Sequence, residues 1–161
     1  MVAERWFLKL DGIPGNSTEV AHKDWIDVQS WTWGVATSSS TTAAGDAGRT
    51  GKPTFQDLSV AAHLGSASPM LFLACATAKR VKDATLSGVT TSGSGKGFEF
   101  LTIRLHDVRV STQQLGDSLG VAPGDQFSLS YARIDISYVP QSPSGGAAAP
   151  ITASYDLITA K

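Results

Sequence analysis

Gly116-Asp117-Ser118-Leu119-Gly120 fits G-x-S-x-G, the spacing that presents a serine nucleophile on a sharp strand-to-helix turn. Such a serine needs a histidine to take its proton, and in hydrolases built on this elbow the histidine lies after the serine along the chain. The histidines here are His22, His63 and His106, and none lies beyond Ser118. The motif leads into Pro123-Gly124-Asp125 and a strand-like run, with no helical pattern. The pentapeptide therefore reads as a turn. Gly93, Gly95 and Gly97 around Lys96 imitate a phosphate loop, but that motif wants glycine at 90 and Ser or Thr at 97, where Thr and Gly stand. No two histidines have metal-ligand spacing, and no carboxylate pair departs from ordinary surface charge. His63 and His106 read as hydrogen-bonded structural residues. The sequence thus assigns no catalytic residue, no cofactor and no metal site.

At 161 residues the chain reads as one domain, 1–161, large enough to bury a core without staples. A net charge of −1 with 17% charged residues argues against a nucleic-acid partner, which calls for a basic stripe. Cys75 is the only cysteine, so no internal disulfide or cysteine-zinc site can form, and its run MLFLACA reads as a place for a small buried thiol. Arg5 and Lys9 interrupt any apolar signal-peptide core. The apolar run Met70–Ala76 is far short of the roughly 20 residues that span a bilayer, so no membrane insertion is expected. The expectation is synthesis in the cytoplasm, with any export by a route that needs no cleaved signal.

The elements that must position these residues are strands. Trp25–Val35, WIDVQSWTWGV, is the organising stretch, rich in aromatic and β-branched types. Ile26 and Val28 share one phase, while Trp31, Trp33 and Val35 share the other. A straight strand keeps one parity, so this swap predicts a bulge or a passage between sheets, with Trp31 and Trp33 in the core. The same swap recurs between Leu101-Ile103-Leu105 and Val108-Val110, and between Phe127-Leu129-Tyr131 and Ile134-Ile136-Tyr138. Repeated swaps favour a closed or strongly coiled barrel over a flat sheet.

Further strands are expected at 5–10, with Trp6, Leu8 and Leu10 facing one way and Arg5, Phe7 and Lys9 the other, and at 54–62, 81–90, 98–105 and 151–159. A polar loop is expected up to Lys23, a hairpin loop at 92–97, and a Pro/Gly/Ala linker at 140–150. Ser68-Pro69 predicts a helix start with Ser68 as N-cap, and the helix is expected to run to Lys79-Arg80. It is apolar nearly all round, so burial on at least two sides is expected. Residues 36–53, ATSSSTTAAGDAGRTGKP, lack apolar periodicity and read as a long partner-contacting arm. The fold class is all-β with one helix.

Five stretches together resemble the haemolysin-coregulated protein (Hcp) family, the tube protein of type VI secretion systems. They are FLKLDGIPGNST, IDVQSWTWGV, GKPTFQDLSV, SPMLFLACATAK and YVPQ, in order over about residues 5–161. The resemblance implies a compact β-barrel of two packed sheets flanked by an α-helix. It implies homohexameric rings stacked head-to-tail into a tube, a spike protein at the tip, a contractile sheath around it and effector proteins in the lumen. It also implies that the arm reaches a neighbouring subunit or ring, which makes Thr42, Gly45, Asp46, Gly48, Arg49 and Gly51 the candidate inter-subunit contacts. The serine- and glycine-rich arm and the alanine-rich 140–150 linker depart from the family pattern and point to a divergent contractile system. Two other classes compete: a monomeric carbohydrate-binding β-sandwich using its tryptophans, and a GDSL-type esterase.

Overall fold

The computed structural model describes residues 4–39, 50–91, 97–118, 121–142 and 147–161. In chain order these form β1 (Glu4–Leu10), a 3₁₀ turn (Val20–His22), β2 (Ile26–Thr32), β3 (Val35–Ser39), β4 (Thr50–Phe55), β5 (Leu58–His63) and α1 (Ser68–Ala76). Next come β6 (Arg80–Thr91), β7 (Gly97–Ser118), β8 (Val121–Ser130), β9 (Arg133–Tyr138) and β10 (Ile151–Asp156). Strands β7-β6-β1-β2-β5-β8 pair in that order, and β8 pairs back onto β7, closing a six-stranded barrel. Strands β9 and β10 extend the sheet outward from β7, and β3 pairs only with β4 in a separate ribbon. The barrel flanked by one helix is the architecture expected.

The parity swaps have distinct structural causes. In β2 the register shifts between Val28 and Ser30, the bulge that the sequence pattern predicts. In β7, Ile103 and Leu105 are buried, then Val108 and Val110, and the swap falls at Asp107, whose φ is +58°. Opposite it, β6 swaps from Val81 to Ala84 and Leu86. At the same place β7 changes neighbour, from β9 through His106↔Arg133 to β8 through Arg109↔Ser130. The third swap has another cause: 126–138 is not one strand but two, β8 and β9, separated at Tyr131-Ala132.

Other expectations are corrected. Both faces of β1 are covered: Phe7 is 1% exposed although it faces away from Leu8 and Leu10, because the polar loop folds a 3₁₀ turn over it and stacks the His22 ring at 4.5 Å. Trp31 and Trp33 are half-buried at the margin of the core; the largest fully buried side chains are Phe7 and Phe127. Trp6 instead lies over Gly88, where a Cβ would stand 2.4 Å from the indole ring. The arm is shorter than 36–53, since its two ends pair as β3 and β4. The last strand stops at Asp156, whose carboxylate accepts the N–H groups of Ile158 and Thr159 and so closes a turn.

Helix α1 also differs from expectation. Ala67 occupies the N-cap position, and the Ser68 hydroxyl accepts the Gly65 N–H instead of capping the helix. Pro69 does sit in the first turn. The Cys75 thiol is half-buried and not fully enclosed. The helix ends at Ala76, before Lys79 and Arg80, so neither cation lies in its last turn. Ala78 at φ +52° takes the left-handed position that closes off a helix, and Lys79 N–H returns to Ala74 O at 2.9 Å.

Candidate assembly interface

Every solvent-facing residue of α1 is apolar. Leu71 and Ala74 are buried against the barrel together with Ser68, yet Pro69, Met70, Phe72, Leu73 and Ala76 point away from it. Phe72 and Leu73 are 62% and 59% exposed. The helix is thus covered on one side only, not clamped on two. A surface helix ordinarily carries polar residues on its outer face, and a contiguous apolar patch on a soluble chain marks a contact site.

The ribbon β3–β4 forms a second projection. Its base is tied to the barrel by a relay: Trp33 Nε1–H donates to Tyr131 Oη at 2.5 Å, and the Tyr131 hydroxyl donates to Gln56 O at 2.8 Å. Burial pushes the Tyr131 hydroxyl above its ordinary range, and the nearby Asp57 charge adds to this against the Trp33 bond. Phe55 packs between Trp33 and Tyr155, with ring centroids at 6.3 and 5.0 Å. Gly51 lies on β4. Thr42, Gly45, Asp46, Gly48 and Arg49 lie outside the described residues.

The barrel has two chemically different outer faces. Across β2-β5-β8-β7 the rungs are Ser30-Ala61-Gln126-Gln114 and Thr32-Ser59-Ser128-Thr112. The groove along them, about 340 Å³, has no charged lining residue. On the opposite side, β1-β6-β7-β9-β10 present Lys9-Thr85-Arg104-Asp135-Ser154 and, one rung on, Asp83-His106-Arg133-Asp156. There His106 Nδ1 lies 2.9 Å from Asp83 and Nε2 lies 2.6 Å from Asp135. Burial works against the Asp135 charge, but bonds from His106 and Ser154 and the Arg133 charge outweigh it and hold the carboxyl below its ordinary range.

Residues singled out for chemistry are used structurally. Ser118 is exposed near the tip of the β7–β8 hairpin, paired with Val121, so it lies on a strand-to-strand connection and not on a nucleophile elbow. His22 bonds Glu19 and Ser87, and His63 Nε2 lies 2.7 Å from Gln29. The loop 92–96 lies outside the described residues. The exposed α1 face leaves no signal in the sequence, because an all-apolar helix reads as a buried one. The neutral rungs are present there as alternating Ser, Thr and Gln, but their alignment needs the register.

The family model described as "Type VI secretion system effector, Hcp" matches residues 7–138. The chain belongs to the Hcp family. It is 32% identical over 140 residues to protein Hcp1 of Pseudomonas aeruginosa, covering 86% of this chain and 85% of that protein. Hcp1 of Salmonella typhimurium superimposes with a TM-score of 0.78 at 28% identity, over 99% of this chain and 98% of that one. A solved type six secretion system protein superimposes with a TM-score of 0.91, again at 28% identity, over 99% of both chains. The resemblance read from the five stretches and the barrel fold are both borne out. As a member of the Hcp family the chain is a type VI secretion protein, and among the described residues no helix is long and apolar enough to cross a membrane.

Proposed function

We propose that this Hcp-family chain is a structural tube subunit, a single domain over 1–161 that closes into homohexameric rings stacked head-to-tail. Effector proteins travel in the lumen, a spike protein sits at the tip and a contractile sheath surrounds the tube. The chain is cytoplasmic before assembly and leaves through the apparatus without a signal peptide. The role is mechanical and not catalytic.

The observation that carries this reading is the outer face of α1. Pro69, Met70, Phe72, Leu73 and Ala76 form an apolar surface that the described residues leave open, and a neighbouring copy supplies the missing cover. Such a contact joins two different patches, so repetition builds a ring when the rotation closes and a filament when it does not. The uncharged rungs on β2-β5-β8-β7 suit a lumen wall, because a passing cargo meets hydroxyls and amides without strong point charges that would arrest it. The arm, with Thr42, Gly45, Asp46, Gly48, Arg49 and Gly51, serves contact with a neighbouring subunit or the next ring.

Two charges on the helix test the reading. Phe72→Glu with Leu73→Glu is expected to leave the circular dichroism melt of the barrel nearly unchanged, since both side chains already face solvent. Sedimentation should show the assembly collapsing to monomer. Retention of full-sized rings by the double variant contradicts the proposal.

A further inference from the structure

Asp125 is 2% exposed and is the one buried carboxyl group among the described residues. It shares the inward parity of Phe127 and Leu129 on β8, so its side chain points into the end of the barrel. Beside it, under the start of α1, lies a cavity of about 120 Å³ walled by the buried side chains of Ile26, Ala62, Leu71 and Phe127. Its mouth carries Asn16, Asp27 and His63, and no lysine or arginine lines it. Among the described residues the two oxygens of Asp125 accept only from Gln113 Nε2, at 3.3 and 3.4 Å. That amide also donates to Ser68 O at 3.0 Å, so it is shared. Hydrogen bonds to a charged group are ordinarily shorter, and a buried carboxylate is ordinarily paired with a cation because desolvation is costly. No ion pair among the described residues includes Asp125.

We propose that this cavity binds a primary alkylammonium group, with its N–H donors on the Asp125 carboxylate and its methylenes against Ile26, Leu71 and Phe127. An ammonium brings three donors and a compact positive charge, which are what the carboxylate lacks. The walls are apolar and suit a short alkyl stem, and the volume holds about four water-sized atoms. A hard metal ion fits less well, since it asks for several oxygen ligands at once. Asn16 Oδ1 is already held by the N–H and hydroxyl of Ser66, and among the described residues no three acidic, histidine or cysteine side chains converge. The group belongs either to a free amine or to a lysine side chain of another protein segment, and both present the same head. Because Gln113 bonds Ser68 O as well as Asp125, the bound group sits one amide away from the start of α1. Neither the site nor its test depends on the ring, so this inference and the tube reading fail separately.

The probe is propylammonium chloride, titrated to about 50 mM into the full chain carrying labelled isoleucine and leucine methyl groups. The methyls of Ile26 and Leu71 are expected to shift to saturation and to show nuclear Overhauser contacts to the ligand's methylenes. Propanol and sodium propionate are nearly the same size but bring no charged donor, and should bind about tenfold more weakly or worse. Asp125→Asn should weaken propylammonium binding by about tenfold or more. Ala62→Val, which fills the cavity and leaves the carboxylate in place, should weaken it to a similar degree. Where a variant does not fold, the wild-type comparison of propylammonium with propanol decides. N-acetyl-lysine N-methylamide separates the two sources: contacts from its side chain to the same methyls assign the site to a protein lysine, and binding by propylammonium alone assigns it to a free amine. No shifts at Ile26 and Leu71 in wild type, equal binding of propanol, or undiminished binding by a folded Asp125→Asn chain overturns the proposal.

Discussion

At the residue scale, function depends on a few side chains and backbone sites that hold the barrel rigid enough to present its faces. Gly15 is one. A Cβ there would stand 2.5 Å from Trp25 O and 2.7 Å from both N and Cα of Ile26. These are backbone atoms that cannot rotate away, so Gly15→Ala should lower stability by about 1–3 kcal/mol or more by chemical denaturation. An unchanged unfolding midpoint would show that the 11–25 connection shifts freely. Glu19 gives a second test. The hydrogen bond from His22 holds its carboxyl below the ordinary range, outweighing the effect of burial. A depressed folded-state value contributes stability that is present above the unfolded glutamate value and lost as pH falls through the folded one. The melting temperature should therefore drop on acidification through and below the ordinary carboxylate range. Glu19→Gln lacks that contribution at every pH, so its drop should be smaller; parallel curves for the two proteins would contradict this assignment.

At the scale of elements, the ribbon β3–β4 and its arm are separable from the barrel. The ribbon pairs with no other strand, and its anchoring contacts, Trp33, Phe55, Tyr131 and Tyr155, all lie at or beyond its base. Replacing residues 40–49 by a four-residue Gly/Ser turn should leave the circular dichroism melt within a few degrees of wild type, because loop-closure entropy changes slowly with length. Electron microscopy should then show weakened rings or stacks; unaltered stacks, or an unfolded barrel, would refute the arm's role. Elements differ in how legible they are in the sequence for physical reasons. The bulge at Val28/Ser30 and the kink at Asp107 are visible because side-chain parity is read directly from period two. The break at Tyr131-Ala132 is hidden because a kinked strand and two adjoining strands produce the same swap. The ends of the ribbon, Val35–Ser39 and Thr50–Phe55, carry too few apolar residues to signal pairing. The exposed face of α1 is concealed because composition reports apolarity and not what covers it.

At the scale of the whole molecule, the chain divides its surface into an apolar helix, a neutral sheet and a charged sheet, which in the proposed ring become contact, lumen and outer surfaces. Most of the barrel's own polar groups are settled internally: among the described residues no buried side-chain nitrogen or oxygen lacks a hydrogen-bond partner. The barrel's buried polar side chains thus need no neighbour, while in the proposed assembly a neighbouring copy covers the apolar α1 face. That is the central claim, and the mass of the purified wild-type particle by native mass spectrometry tests it most directly. Six copies of the 16.8 kDa chain give a particle of about 101 kDa, with larger multiples where rings stack. A single species at 16.8 kDa across micromolar concentrations would contradict the account.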